Sequence, residues 1–210
     1  MGWSRAVAFD HARRLQEMGW LTRSQTVRGD GALLVVTAAG VRMSAVPAPV
    51  TPAPAPAPTW WAHLSATAWV AAWLSARGRT MLGPREVLVD PAWRGEVSWR
   101  DGRGHHESGH RPDLAGGVAG DGLLPIEVEL QAKSKARLRA ILSLYATWIA
   151  GGKTGAVIYV CGDEFLRGRV IAEGAELGLK EESRTLRVEL LEDIRREALE
   201  AWEGRHGAGG

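Results

Sequence analysis

Hydrophobic and polar positions along this chain switch between two periods, and the switches mark its elements. Residues 5–19 follow the helical period: Val7, Leu15 and Met18 fall roughly on one face, Arg13 and Arg14 on another, and Gly19 is placed to end the helix. Trp20 to Thr26 alternates, Arg28-Gly29-Asp30-Gly31 is a turn signal, and Leu33 to Val36 reads as a short strand. Thr37 is placed to cap a last helical turn. After Pro47–Pro58, residues 60–77 again predict a helix, with Trp61, Leu64, Ala68, Ala71 and Ala72 at helical spacing and Trp69, Trp73 and Leu74 widening the apolar face. Short strands are expected at Val87–Val89 and Glu96–Trp99. Residues 100–110, RDGRGHHESGH, read as a solvated loop.

From residue 110 the period of two dominates. A strand carrying Pro112-Asp113 leads through glycines 116, 117, 120 and 122 into a second strand, Leu123 to Leu130. Alternation puts Ile126, Val128 and Leu130 on one face, and Glu127, Glu129 and Gln131 on the other. Ser134 then caps a helix to about Ala150, whose buried stripe is Leu138, Ile141, Leu142, Tyr145, Trp148 and Ile149 and whose outer side carries Lys135, Arg137 and Arg139. Ala156–Cys161 is wholly apolar, as in a central strand, so residues 123–161 predict a crossover unit with parallel strands. A helix from Gly162 or Asp163 to about Gly178, an edge strand at 184–190 and a charged helix at 191–203 follow.

The chain has 210 residues, enough for one medium and one small domain. The reading divides it into residues 1–46, a stiff Pro/Ala-rich spacer at 47–59, a larger domain at 60–204 and a disordered tail at 205–210. The net charge of +2 implies no strong field overall, but residues 1–46 hold six arginines against three acids. A single cysteine, Cys161, rules out an internal disulfide and fits a reducing, cytoplasmic setting. No apolar run reaches the length of a membrane span, so no membrane partner is expected, and the first residues lack a signal-peptide pattern.

Several motifs are excluded on chemistry. His105, His106, His110 and Glu107 have no second ligand cluster at metal-site spacing elsewhere, which argues against zinc. The glycines of 116–122 open no strand-to-helix turn. Gly151-Gly152-Lys153-Thr154 lacks the P-loop's first glycine and follows a helix rather than a strand, so neither stretch is a nucleotide site. Cys161 reads as a packing residue.

What remains is acidic. A carboxylate on every second position of an apolar strand resists burial unless it is paired or metal-bound, and Asp113 lies one hairpin away. Three converging carboxylates suit a hard cation. Pro-Asp, hairpin, then Glu-x-Glu with lysines just after resembles the active-site signature of the PD-(D/E)xK nuclease superfamily. The wider context resembles the replication-relaxation family of plasmids and other mobile elements, which joins an N-terminal winged helix to a nuclease-like domain. The likeness spans most of residues 60–161 and, more loosely, 5–46. It implies an α/β fold: a restriction-endonuclease-like mixed sheet flanked by helices, preceded by a small partial winged helix-turn-helix.

That resemblance carries functional expectations. Asp113, Glu127 and Glu129 become ligands for Mg²⁺ or Mn²⁺ and catalytic residues for phosphodiester hydrolysis. Glu129 stands where the superfamily usually has lysine, so Lys133, with Lys135 or Gln131 as alternatives, is the group to reach the phosphate. Glu86 is a secondary metal candidate. DNA is the expected partner, with Arg13, Arg14, Arg23, Arg28 and Lys135 contacting it and Arg28 at the wing tip. A homodimer is admitted by the winged-helix likeness, although no heptad seam marks one. The helices that normally precede the reading helix are missing. The alternative function is a non-catalytic DNA-binding accessory or regulator of plasmid replication, built on a degenerate nuclease fold.

Overall fold

A computed structural model describes residues 5–24, 33–44, 60–117 and 122–206. The tip of the first hairpin with Arg28, the Pro/Ala-rich spacer, the centre of the glycine-rich turn and the last four residues lie outside the described residues. The fold is mixed α/β and divides into two units, one drawn from residues 1–66 and 199–210, the other from 67–198.

In the first unit, helix α1 (Arg5–Glu17) leads into an antiparallel pair, β1 (Leu21–Ser24) and β2 (Leu33–Val36), followed by the short helix α2 (Ala38–Met43). Gly19 takes φ +70°, and the amides of Gly19 and Trp20 close back on the carbonyls of Gln16 and Leu15, the left-handed stop that glycine permits without a Cβ clash. Thr37 caps α2: its hydroxyl accepts from the Gly40 amide at 3.1 Å and donates to the Gly19 carbonyl at 2.6 Å. Gly40 is required by close approach, because a Cβ there would stand 2.2 Å from the Trp20 carbonyl oxygen. The expected apolar stripe is only partly buried. Leu15 is half-buried, but Val7 and Met18 are exposed, since so few elements offer little surface to cover them.

The second unit is organised by a five-stranded sheet in the order β3 (Thr80–Leu82), β6 (Leu114–Gly117), β7 (Leu124–Glu129), β8 (Val157–Cys161), β9 (Leu186–Leu190). The β3–β6 and β6–β7 pairs are antiparallel, while β7–β8 and β8–β9 are parallel. Helix α5 (Lys135–Ala150) makes the expected crossover from β7 to β8, capped by Ser134, whose hydroxyl accepts from the Arg137 amide at 3.3 Å. Leu138, Ile141, Leu142, Tyr145 and Trp148 of α5 form one core with Val157, Tyr159 and Cys161 of β8 and with Leu166 and Val170 of α6 (Glu164–Ala175). On the other face, Leu74 of α3 (Trp61–Ala76) and Ile126 both close over Gly116. The indole of Trp73 donates to Glu197 of α7 (Leu191–His206) at 2.8 Å. No helix among the described residues is long and apolar enough to cross a membrane.

Three local expectations are corrected. The apolar α3 residues buried in this unit are Val70, Trp73 and Leu74, whereas Ala68 and Ala72 are exposed. The helix is apolar almost all round, so spacing alone did not select a face. Residues 87–89 are not a strand: Pro84 starts helix α4 (Pro84–Val89), its fixed φ and absent N–H suiting the first helical turn. Residues 100–110 are not a loop. β4 (Gly95–Asp101) and β5 (Gly104–His110) form a separate antiparallel hairpin in full register from Gly95↔His110 to Asp101↔Gly104.

Leu142 is fully buried at the centre of the α5 stripe. Leu142→Ala is expected to destabilise the unit by about 3 kcal/mol through lost transfer energy and a cavity. Urea unfolding followed by circular dichroism measures this. A change under about 1 kcal/mol would place α5 outside the core.

Candidate functional site

Strand β7 delivers Glu127 and Glu129 to the face covered by α5, and Val128 and Ile126 to the other, as alternation requires. The acidic face is not wet: Glu127 and Glu129 are each only 3% exposed. Parallel pairing sets Glu127 beside Tyr159 and Glu129 beside Cys161 on β8. Burying carboxylates this deeply costs several kcal/mol unless they are hydrogen-bonded or paired. The partners are identifiable.

Glu127 Oε1 accepts from the Tyr145 hydroxyl, and His110 Nε2 lies 2.8 Å from the same oxygen and 3.1 Å from that hydroxyl. Three elements thereby meet at one carboxylate: the end of β5, the middle of β7 and the third turn of α5. Burial, and then the charge of Glu127, hold the Tyr145 phenol well above its ordinary pKa, so it stays a donor. Glu129 pairs with Lys133, four residues on, through its Oε2. Asp113 turns back to the strand: its Oδ2 accepts from the Val128 amide at 2.8 Å, and its own amide donates to the Ile126 carbonyl at 3.0 Å.

The three acids are close enough to feel one another. Burial pushes the Glu129 carboxyl above the usual range, Lys133 opposes this, and Glu127 and Asp113 add to the rise. Tyr159 is raised first by burial and then by Glu127 and Glu129. Its hydroxyl is buried without a hydrogen-bond partner among the described residues. Cys161 is pushed up to about 12, chiefly by burial and next by Glu129, which makes it a packing thiol rather than a nucleophile at neutral pH.

A hard cation needs several carboxylate oxygens turned to a common point. Here one oxygen of Glu127 serves Tyr145 and His110, one of Glu129 serves Lys133, and one of Asp113 serves a backbone amide. Among the described residues no group of three or more His, Cys, Asp or Glu side chains is arranged to hold a metal ion.

The remaining candidates are dispersed. Glu86 sits in the first turn of α4. Arg13 and Arg14 are 67% and 63% exposed on α1, each paired with Asp10. Arg23 is exposed on β1, and Arg28 lies outside the described residues. Lys135 is exposed and pairs with Glu173 at 3.0 Å. Sequence reasoning missed Tyr145 and Tyr159 as site residues, assigning one to a buried stripe and the other to an apolar strand. The available signal was chemical: a buried tyrosine hydroxyl normally seeks a partner, and for Tyr145 the acid Glu127 supplies one.

The shift at Glu129 has a definite sign. An acid whose folded pKa exceeds its unfolded value keeps its proton longer when folded, so stability falls as pH rises from the unfolded value through the folded one. The unfolding free energy of the wild type minus that of Glu129→Gln is therefore expected to fall as pH rises from about 4.5. Urea midpoints on both proteins across roughly pH 4 to 7, the range in which a buried glutamate titrates, read this out. A difference that grows with pH contradicts the environment described for Glu129.

No protein-family model, no curated protein and no solved structure matches the chain.

Proposed function

We propose that this chain is a DNA-binding accessory or regulator of plasmid or mobile-element replication or transfer, in which a PD-(D/E)xK nuclease-like domain serves as a non-cutting scaffold. The nuclease-like reading draws support from the order of elements: α3, then the antiparallel β6–β7 hairpin carrying Asp113 and the Glu-x-Glu strand, then the α5 crossover to the buried β8. The observation that carries the choice of scaffold over enzyme is the engagement of Glu127, whose buried carboxylate is held by Tyr145 and His110. DNA binding draws support from the exposed arginines of α1 and β1, beside a hairpin whose tip bears Arg28 in sequence.

A second reading, a metal-dependent endodeoxyribonuclease using Asp113, Glu127, Glu129 and Lys133 with Mg²⁺ or Mn²⁺, is favoured by two features. The acids share one neighbourhood, with Lys133 reaching back to Glu129. The Tyr159 hydroxyl, buried beside them, has unused hydrogen-bonding capacity. In this reading the ion would neutralise phosphate charge and activate water.

Fluorescence anisotropy with a labelled duplex over a salt series, together with nicking assays on supercoiled plasmid in Mg²⁺ and Mn²⁺, separates the two. The scaffold reading expects salt-sensitive binding, a log–log salt slope reduced by about 2 in Arg13→Gln/Arg14→Gln, and intact plasmid. Metal-dependent nicking lost in both Asp113→Ala and Glu127→Ala establishes the enzyme instead. Absence of any duplex binding at low salt removes the DNA-binding function altogether.

A further inference from the structure

The hairpin β4–β5 belongs to none of the chemistry above except through His110 at its end. Between β4 and α5 runs an open cleft of about 610 Å³. Its lining includes the hydroxyl residues Ser98, Ser143 and Thr147 and the cations Arg100 and Arg139. The one acid in that lining, Glu96, is already bound to Arg94 at 3.0 Å. The Ser98 and Ser143 hydroxyls have no partner among the described residues, and both residues are exposed.

Charge around the cleft leans positive, and Glu107, across from Ser98 on β5, is taken up by His105 at 3.1 Å. Lys135 and Arg139 share a single carboxylate, Glu173, at 3.0 and 3.3 Å, which leaves positive charge uncompensated. Arg137 places its guanidinium 5.5 Å from the centroid of Trp99 rather than on an acid. Arg100, and Arg103 in the hairpin turn, are exposed and meet no carboxylate among the described residues. Asp101 is committed locally: the Arg103 amide and then His106 hold its carboxyl below the usual range. Hydroxyl and guanidinium donors without matching acceptors are the groups that bind phosphate oxygens. The aromatic ring nearby is not offered to bases, because Trp99 is half-buried and stacks on His106 at 5.1 Å with an interplanar angle of 17°.

We infer that the cleft between β4 and α5 receives a nucleic-acid backbone, with Arg100, Arg103 and Arg139 on phosphates and Ser98 and Ser143 donating beside them. This rests on the DNA-binding reading and adds a second contact surface, independent of the arginines on α1. Recognition at this surface is of backbone charge, so it does not discriminate sequence.

The test is duplex binding by the full chain over a salt series. Arg100→Gln/Arg103→Gln is expected to lower the log–log salt slope by about 2 and to weaken binding equally on unrelated sequences. Ser143→Trp, which fills the cleft from an exposed helix position without altering charge, is expected to lose affinity. Lys180→Gln/Arg184→Gln, an equal charge loss in the turn before β9, is expected to change the slope far less. Wild-type binding left intact by both cleft variants overturns the inference and leaves the DNA-binding reading standing. A control pair that matches the hairpin pair also overturns it, since net charge then explains the effect. Competition by poly-glutamate as effective as by unlabelled duplex assigns the cleft to acidic polypeptides. Failure of the wild type to bind any duplex at low salt overturns both readings.

Discussion

A carboxylate buried in the middle of a sheet has to be answered by donors, and in this chain the answer ties the second unit together. Glu127 stands on β7 with almost no solvent contact, and the groups that satisfy it come from two other elements: Tyr145 on α5 and His110 at the end of β5. The α5 crossover is thereby fixed over the sheet by a polar contact as well as by its apolar stripe. The β4–β5 hairpin, which shares no ladder with the five-stranded sheet, is joined to it at the same point. Removing either donor would leave a buried acceptor short of a partner, at a cost of about 1–3 kcal/mol.

The same constraint shapes the functional reading. Carboxylates that hold a divalent ion must turn their oxygens toward it, and those of Asp113, Glu127 and Glu129 are drawn toward a backbone amide, a phenol with an imidazole, and an ammonium. Burial raises Glu129, and Lys133 only partly opposes the rise. A sheet whose acids are used internally still serves as a rigid platform. Exposed arginines stand on α1, where Arg13 and Arg14 share Asp10, and at the cleft beside β4, where Arg100 meets no carboxylate among the described residues.

Much of the frame was legible in the sequence because period and punctuation agreed. Ser134 before a 3.6-residue stripe, the apolar run 156–161, and the alternation through Glu127 and Glu129 each pointed to the element that forms. Val87–Val89 misled because three strand-forming residues outweighed Pro84, whose preference for the first helical turn governs the segment. The β5 strand was hidden by glycine and histidine, poor strand formers, although Asp101-Gly102 was a hairpin signal in plain view. At the site, the alternation located the acids but not their fate. Whether Glu127 faces water, a cation or a phenol depends on which turn of α5 lies above it. That register is set by packing of Leu142 and Tyr145 against β8, a long-range outcome that no local pattern encodes.

We propose that Asp113, just before β6, and Glu127 and Glu129 of β7 are held by protein donors rather than by a cation. Calorimetric titration of the full chain with Mn²⁺ at near-neutral pH, with Glu127→Gln alongside, addresses it most directly. The same negligible uptake heat is expected from both proteins. A saturable uptake in the wild type that disappears in Glu127→Gln would contradict it, and would return Asp113, Glu127 and Glu129 to the role of metal ligands.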